Sequence, residues 1–207
     1  ACAAALKRGA TLVNRYAFGS TDAFTTDATA GMIRTPRGLR RDSATSSEEA
    51  PMTNNELLGR IRYMFDYRDA EMVAVFAAAD HEVTEDQVRG WLAAEEEPTH
   101  APLDDTELAS FLNGLINHRR GKRPGPQPTP EARLTNNLVA TKLKIALSLR
   151  GEDMIRILNS AGFDLSNHEL SAFFRQPGHK HHRKMNDQVL RYFLRGLQME
   201  YRPQNGP

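Results

Sequence analysis

Apolar residues recur along residues 53–202 with the spacing of helix faces. In the first run Leu57, Leu58, Ile61, Met64 and Phe65 fall at i, i+1, i+4, i+7 and i+8. That is one side of a 3.6-residue helix. Three further runs follow: Met72, Val75, Phe76 and Ala79; Val88, Trp91 and Leu92; Leu108, Phe111, Leu112 and Leu115. The four patterns then return as Val139, Ala140, Leu143, Ala146 and Leu147; Met154, Ile157, Leu158 and Ala161; Leu170, Phe173 and Phe174; Leu190, Phe193, Leu194 and Leu197. No segment alternates with period two for long enough to make a strand.

A shift of 82 positions aligns residues 53–120 with 135–202 without a gap. Thr53-Asn54-Asn55 meets Thr135-Asn136-Asn137, and Met72 meets Met154. Phe111-Leu112-Asn113-Gly114-Leu115 meets Phe193-Leu194-Arg195-Gly196-Leu197. Agreement of that length is internal duplication. The expected fold is all-α, with two tandem four-helix repeats. Each repeat alone has a small core, so the two are expected to pack together about a pseudo-twofold axis. The boundaries follow: a tail over 1–51, repeat one over 52–121, a Pro-rich linker over 122–133 and repeat two over 134–203.

Start signals agree with the periodicity. Thr84 to Gln87 and Ser166 to Glu169 have the form of capping boxes opening the third helix of each copy. Asp104 and Asn186 stand where N-caps of the fourth helix belong. Gly114 and Gly196 lie inside that helix, where Gly costs about 1 kcal/mol relative to Ala. Their recurrence predicts that another helix approaches closely. They are assigned to repeat–repeat packing together with Asn54, Asn55, Asn136 and Asn137, which either cap the first helix or bond the other copy's backbone. The linker Gly121 to Pro130 is expected to be extended and semi-rigid.

Residues 1–51 are rich in Ala, Thr, Ser and Arg, and their apolar positions keep no period. They read as disordered. A cleavable targeting peptide is the rival reading, which five acidic residues in the stretch oppose. Met52 looks like a natural start. Cys2 is the single cysteine, so an internal disulfide and a cysteine-based zinc site are excluded, in keeping with a cytoplasmic setting. No run of about eighteen apolar residues predicts a membrane-spanning helix.

The net charge of +1 hides an asymmetry: residues 52–121 carry a net −8 and residues 134–207 a net +5. One repeat is acidic and the other basic, and that split is the informative quantity.

The motifs Thr-Asn-Asn, Phe-Leu-Asn-Gly-Leu-Ile, Leu-Thr-Asn-Asn, Glu-Leu-Ser-Ala-Phe-Phe-Arg and Phe-Leu-Arg-Gly-Leu-Gln occur here in that order. In this respect the chain resembles the bacterial YehS-like proteins, a duplicated helical family of unknown function. The resemblance covers residues 52 to about 202. It implies a bacterial cytoplasmic protein and brings no activity, cofactor or catalytic residue. Family members often have Tyr and Cys before the last helix. Here that stretch reads His181-His182-Arg183-Lys184-Met185, which puts any thiol chemistry there in doubt.

Candidate chemistry is sparse. The loop His179, Lys180, His181, His182, Arg183 and Lys184, with Arg175 before it, has the composition of an anion or nucleic-acid contact. A metal site is the second reading, but no Cys, Asp or Glu stands beside the histidines. A solvated basic loop is favoured over both, and phosphate contact over metal. The matching loop of copy one, Glu95 to His100, is acidic. Met154 to Arg175 has the outline of a helix-turn-helix presenting Asn167, His168 and Ser171, yet copy one places Glu85 and Asp86 there. Packing is the better reading of both segments. Lys142, Lys144, Arg150, Arg156, Arg191 and Arg195 recur along copy two, either as a solvated face, as a functional basic surface or as a complement to acidic copy one.

No Gly-rich phosphate loop, His-Glu-x-x-His pair or Gly-x-Ser-x-Gly elbow occurs. The sequence thus predicts no catalytic, cofactor or metal residues. It points to a cytoplasmic, non-catalytic protein that binds another protein or itself. Binding of RNA or DNA through the basic repeat is the alternative.

Overall fold

The computed structural model describes residues 51–202. The expectations for the tail and for Cys2 therefore lie, apart from Pro51, outside the described residues. Within them the chain forms eight helices and no strand: α1 (Asn54–Phe65), α2 (Asp69–Ala77), α3 (Glu85–Leu92), α4 (Asp105–Arg120), α5 (Asn136–Ala146), α6 (Gly151–Ser160), α7 (Asn167–Phe173) and α8 (Asp187–Tyr201). None of these is long and apolar enough to cross a membrane.

The caps explain where the helices begin. Thr53 and Thr135, rather than the asparagines after them, cap α1 and α5: their hydroxyls accept from the Glu56 and Leu138 amides at 3.1 and 3.3 Å. Thr84 and Ser166 form the two capping boxes, and Asp104 and Asn186 cap α4 and α8. Each cap satisfies an amide that the first turn cannot pair internally.

Within each repeat the second helix lies on the fourth, α2 on α4 and α6 on α8. Phe76 centres the first contact, with ring centroids 5.1 Å from Phe111 and 5.4 Å from Trp91. The crossing is close enough that a Cβ on Gly114 would stand 1.9 Å from the Val75 carbonyl oxygen, and one on Gly196 2.1 Å from that of Ile157. The assignment of these glycines to repeat–repeat packing is thus corrected: each serves a crossing inside its own repeat. The physical reason is helix–helix distance, since only a residue without Cβ lets a backbone carbonyl approach that far.

The repeats join through a different pair of contacts. Helix α1 packs on α8, and α4 packs on α5, so the first helix of each copy lies against the last helix of the other. The buried apolar residues of both copies form one continuous core. Polar clasps repeat the same symmetry. Arg120 Nη1 donates to the Ile145 carbonyl at 3.2 Å, and Arg202 Nη1 donates to that of Tyr63 at 2.9 Å. The 82-residue shift interchanges these two bonds. Two ion pairs join acidic copy one to basic copy two: Arg191 with Glu56 at 2.8 Å and Arg202 with Asp66 at 3.0 Å. At the α4–α5 contact, Lys142 is only 8% exposed. Its ammonium bonds Asn113 and pairs with Glu131 of the linker at 2.9 Å.

The first half of the linker departs from the extended form. Gly121 and Gly125 have φ of 84° and 102°, the left-handed region that glycine adopts without strain. The Gln127 amide donates to the Arg123 and Gly125 carbonyls and accepts from Asn117. Side-chain bonds back to the local backbone, and glycine at two positions, replace the extended form that proline content suggested.

Candidate functional site

The two Asn-Asn pairs build the loops before the fourth helices. In copy two the Asn137 amide donates to the Phe173 and Arg183 carbonyls at 2.8 and 2.9 Å, while its oxygen accepts from the Met185 amide at 2.9 Å. Asn55 repeats these bonds with Trp91, Ala101 and Leu103. Asn136 and Asn54 bond Asp187 and Asp105 at 2.6 and 2.8 Å, besides the Met185 and Leu103 carbonyls. All four asparagines therefore act inside their own repeat. Their assignment to repeat–repeat packing is corrected on the same footing as the glycines: the groups they reach lie on the third helix, the loop after it and the start of the fourth helix, all of their own copy.

The clasp of Asn137 fixes the ends of the basic loop, and Arg183 N donates to Ala172 O at 3.0 Å. Between these anchors Lys180, His181, His182 and Arg183 line a shallow cavity of about 210 Å³ with His168 and Glu169. The His179 and His181 rings lie 5.7 Å apart, and His179 Nδ1 accepts from the His181 amide at 3.1 Å. Lys184 and Arg175 do not line the cavity. The Ser166 hydroxyl and amide hold the Glu169 carboxyl below the ordinary carboxylate range, assisted by the charges of Arg183 and His168. An ionised carboxylate thus stands in the wall of an otherwise basic cavity. Among the described residues no three His, Cys, Asp or Glu side chains converge as metal ligands.

The helix-turn-helix outline takes shape as α6, a turn at Gly162 with φ of 89°, and α7. Asn167, His168 and Ser171 are exposed on α7. In copy one the equivalent Glu85 and Asp86 pair with Arg89 at 2.6 and 2.7 Å.

A second pair of sites follows from the symmetry and was missed in the sequence. At the C-terminus of α1 a groove is lined by Arg62, Tyr63, Asp66, Tyr67 and Arg202. At the C-terminus of α5 its counterpart is lined by Lys144, Ile145, Ser148, Leu149, Arg120 and Phe174. Positions 62, 63, 66, 67 and 202 map on 144, 145, 148, 149 and 120 under the 82-residue shift. The groove volumes are about 640 and 450 Å³. In the first groove Arg202 lies 4.1 Å above the Tyr63 ring and pairs with Asp66. In the second Ser148 replaces Asp66, no carboxylate lines the groove, and the Lys144 ammonium stands 4.7 Å above the Phe174 ring. Tyr63 and Ile145, at equivalent positions, are 45% and 39% exposed. The signal available beforehand was the shift itself, applied to polar as well as apolar positions.

Charge pairing differs between the copies in the same sense. In copy one Arg60, Arg62, Arg68 and Arg89 all pair with carboxylates. In copy two Lys142, Arg156, Arg191 and Arg202 do so. Lys144, Arg150, Arg175, Lys180, Arg183, Lys184 and Arg195 have no carboxylate partner within ion-pair distance among the described residues.

No solved structure matches this chain. Over 147 residues it is 42% identical to the uncharacterized protein YehS of Escherichia coli (strain K12), a match covering 70% of this chain and 94% of YehS. The model of a family described as protein of unknown function, DUF1456, matches twice, over residues 54–121 and 136–203. These matches take in all eight helices, and the chain belongs to the DUF1456 family of proteins of unknown function.

Proposed function

We propose that this protein is a non-catalytic adaptor that binds an acidic protein partner, or a second copy of itself, through its basic second repeat. The observation that carries this reading is the distribution of ion pairs. Among the described residues, seven cations of copy two have no carboxylate partner after the repeats have docked, five of them exposed and Lys144 and Arg175 half-buried, whereas four of the six arginines of copy one are neutralised. Unpaired surface cations add little to stability. They raise the rate and selectivity of association with an oppositely charged surface. Glu95, Glu96 and Glu97 of copy one are exposed, so another molecule of this chain offers the complementary charge. A cytoplasmic setting belongs to the same proposal.

Nucleic-acid binding is the second reading. Lys180, Arg183 and Lys184 lie on the exposed loop beside α7, which favours phosphate contact. Glu169, held ionised in the same cavity, works against it.

The test is fluorescence anisotropy with the full chain at low and moderate salt. The probes are a short labelled peptide of Asp, Glu, Leu and Phe, an RNA strand and a DNA duplex. Saturable binding of the peptide at low salt, exceeding that of both nucleic acids, supports the adaptor reading. Steeply salt-dependent binding of RNA or DNA, with no peptide binding, overturns it in favour of the second reading.

A further inference from the structure

We propose that the groove between the ends of α4, α5 and α7 is the docking site for a carboxylate-bearing, apolar-flanked segment of the partner protein. The inference rests on the adaptor reading and names the site.

The two grooves share a backbone frame, because the 82-residue shift carries six lining positions of one onto six of the other. In both, the last arginine of one repeat donates to a carbonyl near the end of the first helix of the other. In both, a residue just past that helix end lies in the left-handed region, with φ of 55° at Asp66 and at Ser148. In the α1 groove the position holds a carboxylate, which pairs with Arg202 at 3.0 Å. The molecule thus shows a carboxylate at the rim of this frame paired with its arginine, the Asp66 side chain being 81% exposed.

In the α5 groove the carboxylate is missing while the cations remain. Arg120 and Lys144 line it without an acidic neighbour. Ile145, Leu149 and Phe174 supply an apolar floor beside them. A carboxylate delivered from outside would complete the Arg120 pair as Asp66 completes that of Arg202. An adjoining apolar side chain would cover Ile145, whose exposure is large for its type. A peptide is favoured over a nucleic acid on two grounds. The twin pairs its arginine with a carboxylate, and Lys144 already covers one face of the Phe174 ring on which a base would stack.

The twin also supplies the test. Ser148→Asp puts a carboxylate at the position where Asp66 pairs with Arg202, on a backbone conformation that Asp66 already adopts and that Asp tolerates well. The variant should therefore fold, and it supplies the carboxylate of the groove from within. The readout is anisotropy of the labelled Asp, Glu, Leu and Phe peptide with the full chain at low salt. Gln188→Asp, on exposed α8 surface outside the groove, matches the change in net charge. We expect Ser148→Asp to weaken peptide binding by about tenfold, with thermal stability kept. Gln188→Asp should leave binding within about twofold. Unchanged binding in Ser148→Asp, or equal losses in both variants, overturns the docking site. If that binding is instead lost in Lys180→Ala with Lys184→Ala, the adaptor reading stands and its site is the 179–184 loop. If the unaltered chain binds no acidic peptide at all, the reading and the site fall together.

Discussion

Replacing Gly114 or Gly196 by Ala tests the helix crossing on which each repeat is built. An ideal Cβ on Gly114 would lie 1.9 Å from the Val75 carbonyl oxygen, and ordinary contact begins at 3.4 Å. The carbonyl would have to retreat by about 1.5 Å, and it belongs to helix α2, which is tied to the core through Met72, Val75 and Phe76. Overpacking of this kind costs about 1–3 kcal/mol or more. Against it stands the gain of about 1 kcal/mol for Ala over Gly within a helix. The balance is a loss of about 0–2 kcal/mol at each site, and more where the carbonyl cannot retreat. Gly151→Ala is the internal control: it is also helical, and nothing lies within 4 Å of its added Cβ. There the same replacement should stabilise by up to about 1 kcal/mol. Urea unfolding followed by circular dichroism measures all three. Equal, stabilising shifts for Gly114→Ala and Gly151→Ala would refute the close crossing as the reason for glycine.

Three further outcomes follow from the same geometry. Asn137→Ala removes three hydrogen bonds that close the basic loop; at about 1 kcal/mol net for each it should cost about 2–3 kcal/mol in urea, and amide exchange over residues 176–185 should quicken. Glu131→Gln should lower stability by about 1–3 kcal/mol by stranding the buried Lys142 ammonium, whereas Lys142→Met together with Glu131→Leu, which replaces the whole pair by apolar chains, should leave it unchanged or raise it. A thermal melt series separates the two variants. Glu169 titrates below the ordinary carboxylate range because of Ser166, so its contribution is present above the unfolded-state value and fades as pH falls through the lower folded one. Carboxyl NMR should show this, and Ser166→Ala should move the titration upward while costing about 1 kcal/mol of cap energy.

Much of the fold was legible because its causes are local. The 3.6-residue period placed Leu57, Leu58, Ile61 and Met64 on one face, and all four are buried. Thr84, Ser166, Asp104 and Asn186 mark helix starts through bonds that span three residues. Gly114 and Gly196 announced a close helix without naming it. The asparagines were harder, since Asn55 and Asn137 reach groups some 36–48 residues away, and a polar side chain carries no sign of its distant acceptor. The grooves were harder still, because each combines the end of one repeat's first helix with the other repeat's last arginine.

The sequence by itself determined the duplication, the helical class, the number of helices and the acidic and basic halves, because periodicity, caps and charge are written in neighbouring residues. Only the tertiary structure decided which helices cross and which copy each glycine and asparagine serves. It also decided that α1 rests on α8 while α4 rests on α5. Those choices depend on how apolar faces and buried polar groups are satisfied across long stretches of chain. Several arrangements can bury the same faces, and the one adopted is set by the close backbone approaches and hydrogen bonds that only the packed molecule brings together.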